Sequence, residues 1–226
     1  MKLLVTGGTG FFGRALLRSW LRDEVDGIKA PEVTIVTRSP NSFLERYPEF
    51  STNTWLTLHE SNILDYESLP ADSCFTHILH AATESTVGPS LPALQRYDEI
   101  VTGTRNILDY AVKNNIKRVL LTSSGGVYGP QPDGLGKVPE SYLGIPDPLD
   151  PLSAYSMGKR AAEHLCSLYN DRFGLESVIA RCFAFVGEDL PLNAHFAIGN
   201  FIQDALYSNQ INVAGDGTPV RSYMNQ

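Results

Sequence analysis

Hydrophobic and polar positions follow two alternating patterns along the 226-residue chain. Short apolar runs are typical of strands that helices cover on both faces, and apolar residues three and four positions apart are typical of one face of a helix. Runs that predict strands lie at residues 2–6, 33–37, 55–59, 75–80, 117–123 and 176–182. Segments that predict helices lie at residues 11–22, 94–115 and 154–173. This β-α-β order predicts an α/β fold, a doubly wound parallel sheet with helices on both faces.

Breaks in the pattern fall where turn residues cluster. Asn114 and Asn115 are predicted to end the second helix, and Gly174 lies in the position that closes the third. Between residues 129 and 151 the chain carries six prolines and no periodic pattern. A loop of this length inside a compact domain is usually functional or mobile.

Composition and charge narrow the functional classes. Hydrophobic residues make up 42% of the chain and charged residues 19%, which is typical of a globular protein and excludes a disordered or collagen-like chain. The net charge of −7 argues against nucleic acid or an anionic membrane as a partner, because both require a basic face. No run of about 18 apolar residues predicts a membrane span.

The cysteines and histidines point to a reducing compartment and to no metal. Three cysteines are widely separated and form no Cys-x-x-Cys pair, and none of the five histidines has metal-ligand spacing. Packing or surface roles are expected for the histidines. The short apolar run at residues 3–5 is interrupted by Thr6 and Gly7 before it could form a signal-peptide core. A cytoplasmic location is therefore expected.

The strongest local motif is a glycine-rich turn between the first strand and the first helix. Gly7, Gly10 and Gly13 are spaced three apart directly after residues 2–6. Gly7 would permit the tight turn, Gly10 would let the backbone approach a pyrophosphate, and Gly13 would let the helix pack on the sheet. The positive end of the helix, which includes Phe11 and Phe12, would then face the phosphates. A purely structural glycine turn is the alternative.

A second constellation carries acid–base chemistry. Ser124 follows the predicted strand 117–123, and Tyr155 and Lys159 lie four apart on the predicted helix 154–173. This spacing places the phenol and the ammonium on one helical face, where Lys159 would lower the pKa of Tyr155 and make it a proton-transfer group near neutral pH. Ser124 would hydrogen-bond the reacting oxygen. An ordinary surface pair is the alternative for the tyrosine and lysine.

Taken in order, the motifs resemble those of a known family. They are Thr6-Gly7-x-x-Gly10-x-x-Gly13, His80-Ala81-Ala82, Thr122-Ser123-Ser124-x-x-Val127-Tyr128-Gly129, Tyr155-Ser156-Met157-Gly158-Lys159 and Arg181-Cys182-Phe183. This set is similar to that of the extended short-chain dehydrogenase/reductases, in particular the nucleotide-sugar epimerase/dehydratase branch. The resemblance implies a Rossmann-type domain that binds NAD(P). It also implies a Ser124-Tyr155-Lys159 triad in which Lys159 holds the nicotinamide ribose.

The resemblance implies further cofactor contacts. Ala81 and Ala82 match positions beside the cofactor, and Asn62-Ile63 matches the Asp-Ile that holds the adenine. At the end of the second strand, NAD-specific members carry a carboxylate where this chain has Thr37-Arg38-Ser39. Arg38 would pair with a 2′-phosphate, which favours NADP, unless it is an ordinary solvated loop arginine.

Departures from the family's pattern bear on the reaction. The 4,6-dehydratases of the family carry an acid pair directly after the triad Ser/Thr, where this chain has Gly125 and Gly126. Neither glycine can exchange a proton through a side chain, which argues against water elimination by that route. Ile100 and Ala184 stand where family members carry asparagines, so the finer substrate contacts differ.

Near the end of the chain, residues 215–223 resemble the family segment whose arginine grips the substrate diphosphate, here Arg221. The chain ends at Gln226, whereas family members continue through a further helical region. The expected organisation is a dinucleotide-binding domain at residues 1–182 and the start of a substrate-binding lobe, apparently incomplete, at residues 183–226. A truncated product and a naturally short relative both fit this ending.

The function expected from these features is hydride transfer between NAD(P) and a nucleotide-activated sugar. An epimerase that keeps its cofactor and a keto-sugar reductase that consumes NADPH use the same triad, and Arg38 favours the reductase. A dinucleotide-binding module without turnover, or an inactive relative, is the alternative from another class. The residues identify neither the sugar nor the oligomeric state, and a homodimer is one expected arrangement.

Overall fold

A computed structural model describes residues 1–71, 74–83, 91–194, 196–213, 215–218 and 220–226. His195, one of the histidines expected to pack or face solvent, lies outside the described residues. Pro219, in the segment that carries Arg221, also lies outside them.

Six parallel strands form the main sheet in the order β3-β2-β1-β4-β5-β6. They are β1 (Lys2–Thr6), β2 (Glu32–Thr37), β3 (Leu56–Glu60), β4 (His77–His80), β5 (Arg118–Ser124) and β6 (Glu176–Cys182). The predicted parallel sheet is confirmed, with strand ends that differ by a residue or two from the sequence pattern. The strand order reverses between β1 and β4, which is the place where open α/β sheets bind ligands.

The helices are α1 (Phe11–Val25), α2 (Pro40–Arg46), α3 (Ala93–Lys113), α4 (Ala154–Phe173) and α5 (Ala197–Tyr207). The bounds predicted for α4 are confirmed, and Gly174 closes this helix in the left-handed conformation with a φ of 67°. The sequence pattern did not predict α2 or α5.

Helices cover both faces of the sheet. Because successive strand residues point to opposite faces, each strand contributes side chains to two separate cores. In β1, Leu4 packs into a core with Ile107 and Leu108 of α3, whereas Leu3 and Val5 pack into a second core. That second core contains Leu17 of α1 together with Val33, Ile35, Phe43, Phe50 and Trp55. The predicted two-sided arrangement is therefore confirmed.

A small second sheet follows the main one along the chain. Its strands, β7 (Ala184–Val186) and β8 (Tyr223–Asn225), pair in parallel. Beyond β7, the carboxylate of Asp189 accepts hydrogen bonds from Arg14 Nε at 2.8 Å and from Arg18 Nη1 at 2.5 Å. These ion pairs fasten the last part of the chain to α1. The predicted division at residue 182 coincides with the end of β6 and stays a prediction.

The proline-rich loop runs from Gly129 to Asp150 without a helix or strand. Arg160 of α4 donates hydrogen bonds to the carbonyls of Val127 at 2.9 Å and Gly144 at 2.8 Å. The loop is thereby held against the helix that carries Tyr155 and Lys159.

Candidate active site

The carboxyl ends of β1, β4 and β5 bring the predicted motifs together. A Cβ atom at Gly7 would lie 2.5 Å from the backbone of Ala81, so the glycine turn directly abuts the end of β4. The amide of Ala82 donates to Thr6 Oγ1 at 3.3 Å, which fixes the two loops against each other. Gly7 has a φ of 73°, the left-handed backbone that favours glycine at this tight turn.

The glycines of the motif have different structural roles. A Cβ at Gly13 would overlap the backbone of Gly8, so Gly13 is required by the packing of α1 on the turn. At Gly10, by contrast, the φ of −84° is ordinary, and a Cβ would meet only the Gly7 carbonyl oxygen, at 3.2 Å. The fold therefore tolerates a side chain at Gly10 better than at Gly13.

The first turn of α1 fits a bound phosphate. No side chain caps it, and it contains no acidic residue. Because the first N–H groups of a helix lack intrahelical partners and carry partial positive charge, they suit a pyrophosphate. Because Gly10 carries no side chain, a diphosphate could approach this backbone closely.

A buried hydrogen-bonded chain links β1, β4 and α3 behind this turn. His80 Nδ1 lies 2.6 Å from Thr6 Oγ1, and its Nε2 lies 3.2 Å from Thr104 Oγ1. Burial and the charge of Lys159 lower the pKa of His80 to about 3. A neutral His80 serves to orient the strand ends, in accord with the packing role expected from its sequence.

Lys159 lies in the centre of the site and is only 3% exposed. Its Nζ donates to Thr83 Oγ1 and to the carbonyl of Thr122, both at 2.7 Å. Burial lowers the pKa of Lys159 to about 8, although Cys182 and Glu163 act in the opposite direction. The ammonium thus ties α4 to the ends of β4 and β5.

Tyr155, in the first turn of α4, lies next to Ser124, the last residue of β5. The pKa of Tyr155 lies above its ordinary value of 10, chiefly because of burial, although a hydrogen-bonding interaction with Ser124 and the charge of Arg96 act in the opposite direction. The expectation that Lys159 lowers this pKa is wrong for this arrangement, because the Lys159 ammonium is bonded to Thr83 and Thr122. Ser124 Oγ accepts from the amide of Gly126 at 3.1 Å, which leaves its hydroxyl hydrogen to donate. Ser124, Tyr155 and Lys159 are therefore brought together around one small region.

Two further side chains near Tyr155 were not assigned a role from the sequence. The guanidinium carbon of Arg96 lies 4.5 Å from the centroid of the Tyr155 ring. Cys182 pairs in register with Ser124, and a negative charge on its thiol would raise the pKa of Tyr155. Arg96 carries no local sequence signal, and Cys182 was noted only as part of the Arg181-Cys182-Phe183 motif, because each reaches the site through the packing of a distant element.

A partly buried ion pair between Arg181 of β6 and Glu163 of α4 lies beside this region. Glu163, one turn after Lys159, accepts a hydrogen bond from Ser123 at 2.5 Å and two from Arg181, at 3.0 and 2.7 Å. The Arg181 guanidinium also lies 4.6 Å from the centroid of the Tyr128 ring. Arg181, noted from the sequence as part of a motif, thus joins β6 to α4.

The remaining predicted cofactor residues follow the carboxyl ends of β2 and β3 or begin α1. Arg38 is exposed directly after β2. Asn62 Oδ1 accepts from the amide of Leu64 at 3.1 Å, which forms the turn after β3, and the Ile63 carbonyl accepts from Asn106 at 2.8 Å. Phe11 and Phe12 begin α1, and the Phe12 ring packs edge-on against Phe185 at 4.8 Å.

Arg221, the residue expected to hold the substrate diphosphate, precedes β8. It is exposed, and its Nη1 donates to the carbonyl of its neighbour Val220 at 3.0 Å. Its expected contact with a substrate diphosphate stays a prediction.

The strand order, the glycine turn and the helices on both faces place the fold in the Rossmann class of α/β proteins. The sequence model of the NAD-dependent epimerase/dehydratase family matches residues 3–225 of this chain. The chain belongs to the NAD-dependent epimerase/dehydratase family, and the resemblance seen in the sequence motifs is confirmed.

Relatives within the family include sugar-nucleotide enzymes. The chain is 31% identical to UDP-glucuronic acid decarboxylase 1 of Xenopus tropicalis, and the match covers 98% of this chain and 50% of that protein. It is 30% identical to UDP-glucuronic acid decarboxylase 3 of Arabidopsis thaliana, with 99% of this chain and 62% of that protein covered. The chain thus spans between half and two thirds of the length of these relatives.

Solved structures share the fold over the whole chain. A UDP-glucuronic acid 4-epimerase from Bacillus cereus, in complex with UDP-glucuronic acid and NAD, superposes with a TM-score of 0.80 at 26% identity, covering 100% of this chain and 69% of that one. A dTDP-glucose 4,6-dehydratase from Streptomyces venezuelae with NAD bound gives 0.82 at 27% identity, covering 100% and 68%. Among the described residues of this chain, no helix is long and apolar enough to cross a membrane.

Replacement of Gly10 by valine should separate cofactor binding from folding. Because an added Cβ at Gly10 would meet only the Gly7 carbonyl oxygen, at 3.2 Å, and the side chain would stand where the pyrophosphate is expected, the variant should fold and lose measurable affinity for NAD(P). Calorimetric titration and thermal unfolding measure the two effects. Gly136→Val is the matched control, since a Cβ there meets nothing within 4 Å. Unchanged affinity in folded Gly10→Val would refute this placement of the pyrophosphate.

The buried Lys159 should also make stability depend on pH. Its pKa is about 8 in the folded protein, below the ordinary 10.5, so between these values the unfolded chain holds more protons and stability rises with pH. Relative to Lys159→Met, the free energy of unfolding of the wild type should increase by about 2–3 kcal/mol between pH 7 and pH 10. Urea unfolding of both proteins across this range measures the difference. A constant difference would show that the ammonium is not destabilised by burial.

Proposed function

We propose that the chain belongs to an enzyme that moves hydride between NAD(P) and a carbon of a nucleotide-activated sugar, as an epimerase or a keto-sugar reductase. The observation that carries this proposal is the convergence of Ser124, Tyr155 and Lys159 beside the glycine turn. The relatives, which include UDP-glucuronic acid decarboxylases and a UDP-glucuronic acid 4-epimerase, support a sugar-nucleotide substrate.

The proposed binding of the cofactor follows the carboxyl edge of the sheet. Gly10 to Gly13 would hold the pyrophosphate, Asn62 and Ile63 the adenine, and Ala81 and Ala82 the central part of the molecule. Lys159 would hold the nicotinamide ribose. Bound NAD(P) would supply the hydride acceptor or donor that no side chain provides.

The side chains would manage the proton that accompanies the hydride. Ser124 would hydrogen-bond the reacting sugar oxygen, and Tyr155, as phenolate, would accept the hydroxyl proton while the carbon loses its hydride. In the reverse direction Tyr155 would return the proton to the carbonyl oxygen. Lys159 in its charged form would stabilise the phenolate once the ribose binds beside it, and its pKa of about 8 means that it also changes charge slightly above neutral pH.

The residues after Ser124 argue against 4,6-dehydration. The Phe183 ring and the Ser156 hydroxyl each lie 2.5 Å from where a Cβ would stand, at Gly125 and Gly126 respectively. An acid pair is thus absent, and its space is taken by other groups. An epimerase or reductase requires no acid there, because neither reaction eliminates water.

The second candidate function is a dinucleotide-binding module without turnover. The glycine turn at the start of α1, with no acidic residue and no side-chain cap, is the observation that supports it. Such a module would need the glycine turn but not the triad, so the two functions differ in whether Tyr155 matters. The proposed partner is in either case a small molecule, and the proposal includes a cytoplasmic location and a homodimer.

Tyr155→Phe should reduce turnover by about 10²–10⁴-fold with cofactor affinity nearly unchanged, because only the proton-transfer group is lost. The measurement is turnover of a panel of nucleotide sugars, UDP-glucuronic acid included, by a protein that carries the complete substrate-binding region. Tyr169→Phe is the matched control, since Tyr169 lies on the same helix but donates to Asp109. Turnover at the parent rate in Tyr155→Phe would contradict the assignment, and a 4-keto-6-deoxy product would contradict the argument against dehydration.

Arg38 is proposed to select NADP over NAD. A charge-assisted bond to the 2′-phosphate contributes about 1.5–3 kcal/mol, so the wild type should prefer NADP by about 10- to 150-fold. Arg38→Gln should remove this preference and leave NAD affinity unchanged. Calorimetric titration of both cofactors against both proteins measures the ratio. Equal affinities in the wild type, or a preference for NAD, would show that Arg38 is a solvated loop residue.

A further inference from the structure

Arg96 occupies an unusual place for a charged residue that the family motifs do not include. It lies near the start of α3, is half-buried, and its guanidinium carbon is 4.5 Å from the centroid of the Tyr155 ring. A cation within about 6 Å of the face of an aromatic ring is attracted by the electrons of the ring. The attraction becomes stronger when the phenol is ionised, because the ring system then carries a full negative charge.

The packing of α3 on α4 fixes this contact. A Cβ at Gly158 would lie 3.2 Å from the side chain of Ile100, so the two helices approach closely at this pair. Arg96 is one turn before Ile100 on α3, and Tyr155 is about one turn before Gly158 on α4. The buried contact between Ile100 and Gly158 therefore sets the guanidinium over the ring, and the position of Arg96 is a property of the fold.

We propose that Arg96 is a positioning residue of the candidate reaction, whose guanidinium over the ring stabilises the negative charge that Tyr155 carries after it has given up its proton. This inference rests on the proposed function of Tyr155 as the proton-transfer group. In this proposal the Tyr155 phenolate is stabilised by a cation on α3, whereas the sequence analysis assigned that stabilisation to Lys159 alone.

The surroundings of Tyr155 make this second cation important. Ser124 faces the phenol from β5, Cys182 acts on it from β6, and Lys159 lies one turn further along the same helix. Burial raises the pKa of Tyr155, while Ser124 and then Arg96 lower it. The Lys159 ammonium is bonded to Thr83 and Thr122, so in this arrangement its hydrogen bonds are directed at the strand ends.

The test is a direct titration of the phenol, without substrate or turnover. Tyr155 is replaced by 3,5-difluorotyrosine, whose phenol is more acidic than that of tyrosine and whose ¹⁹F resonance reports its ionisation. The midpoint is measured with Arg96 intact, in Arg96→Gln and in Arg96→Lys. Arg105→Gln is the matched control, because Arg105 is exposed on the same helix about 13 Å further along its axis.

Loss of the cation in Arg96→Gln should raise the midpoint by about 1–3 pH units. Arg96→Lys should restore most of the difference, and Arg105→Gln should leave the midpoint unchanged. A midpoint in Arg96→Gln that moves no more than in Arg105→Gln would overturn the proposal, as would failure of Arg96→Lys to restore it in a folded protein. Since no turnover is measured, the two proposals fail separately: unchanged turnover of Tyr155→Phe in a protein with the complete substrate-binding region would refute the proposed function, while the expected midpoints would still show that Arg96 stabilises the ionised phenol.

Discussion

Lys159 brings a positive charge into a region where only 3% of the residue is accessible to solvent. A buried ammonium is costly unless its protons are bonded, and here the hydroxyl of Thr83 and the carbonyl of Thr122 accept from it. Each acceptor lies at the carboxyl end of a different strand. The requirement to satisfy one buried charge therefore sets how α4 approaches β4 and β5, and with it where Tyr155 lies relative to Ser124.

The glycine turn depends on the same strand ends. The close approach of Gly7 to Ala81, and the bond between Thr6 and His80, hold β1 and β4 in fixed relation. Because burial and Lys159 keep His80 neutral, this link adds no second charge beside the ammonium. The phosphate-binding end of α1 and the acid–base side chains of α4 are thus parts of one rigid edge, where a molecule that spans the two can bind.

The parallel sheet and α4 could be predicted because local pattern and tertiary environment agree there: a continuous apolar run marks β5, and Gly174 marks the end of α4. The pair β7 and β8 could not, since three-residue strands about 40 positions apart in sequence leave no periodic signal. Within the site, residue types and spacings marked the triad. Arg96 was missed because its contact with Tyr155 arises only from the crossing of two helices.

In the proposed complex, one edge of the sheet holds a dinucleotide between the glycine turn and the side chains of Tyr155 and Lys159. A crystal structure of the chain grown with NAD or NADP tests it most directly. The pyrophosphate is expected to contact the backbone of Gly10 to Gly13, and the nicotinamide ribose to contact Lys159, with the ring beside Tyr155. A cofactor bound elsewhere, or one whose nicotinamide lies away from Tyr155 while the pyrophosphate occupies the turn, would contradict it.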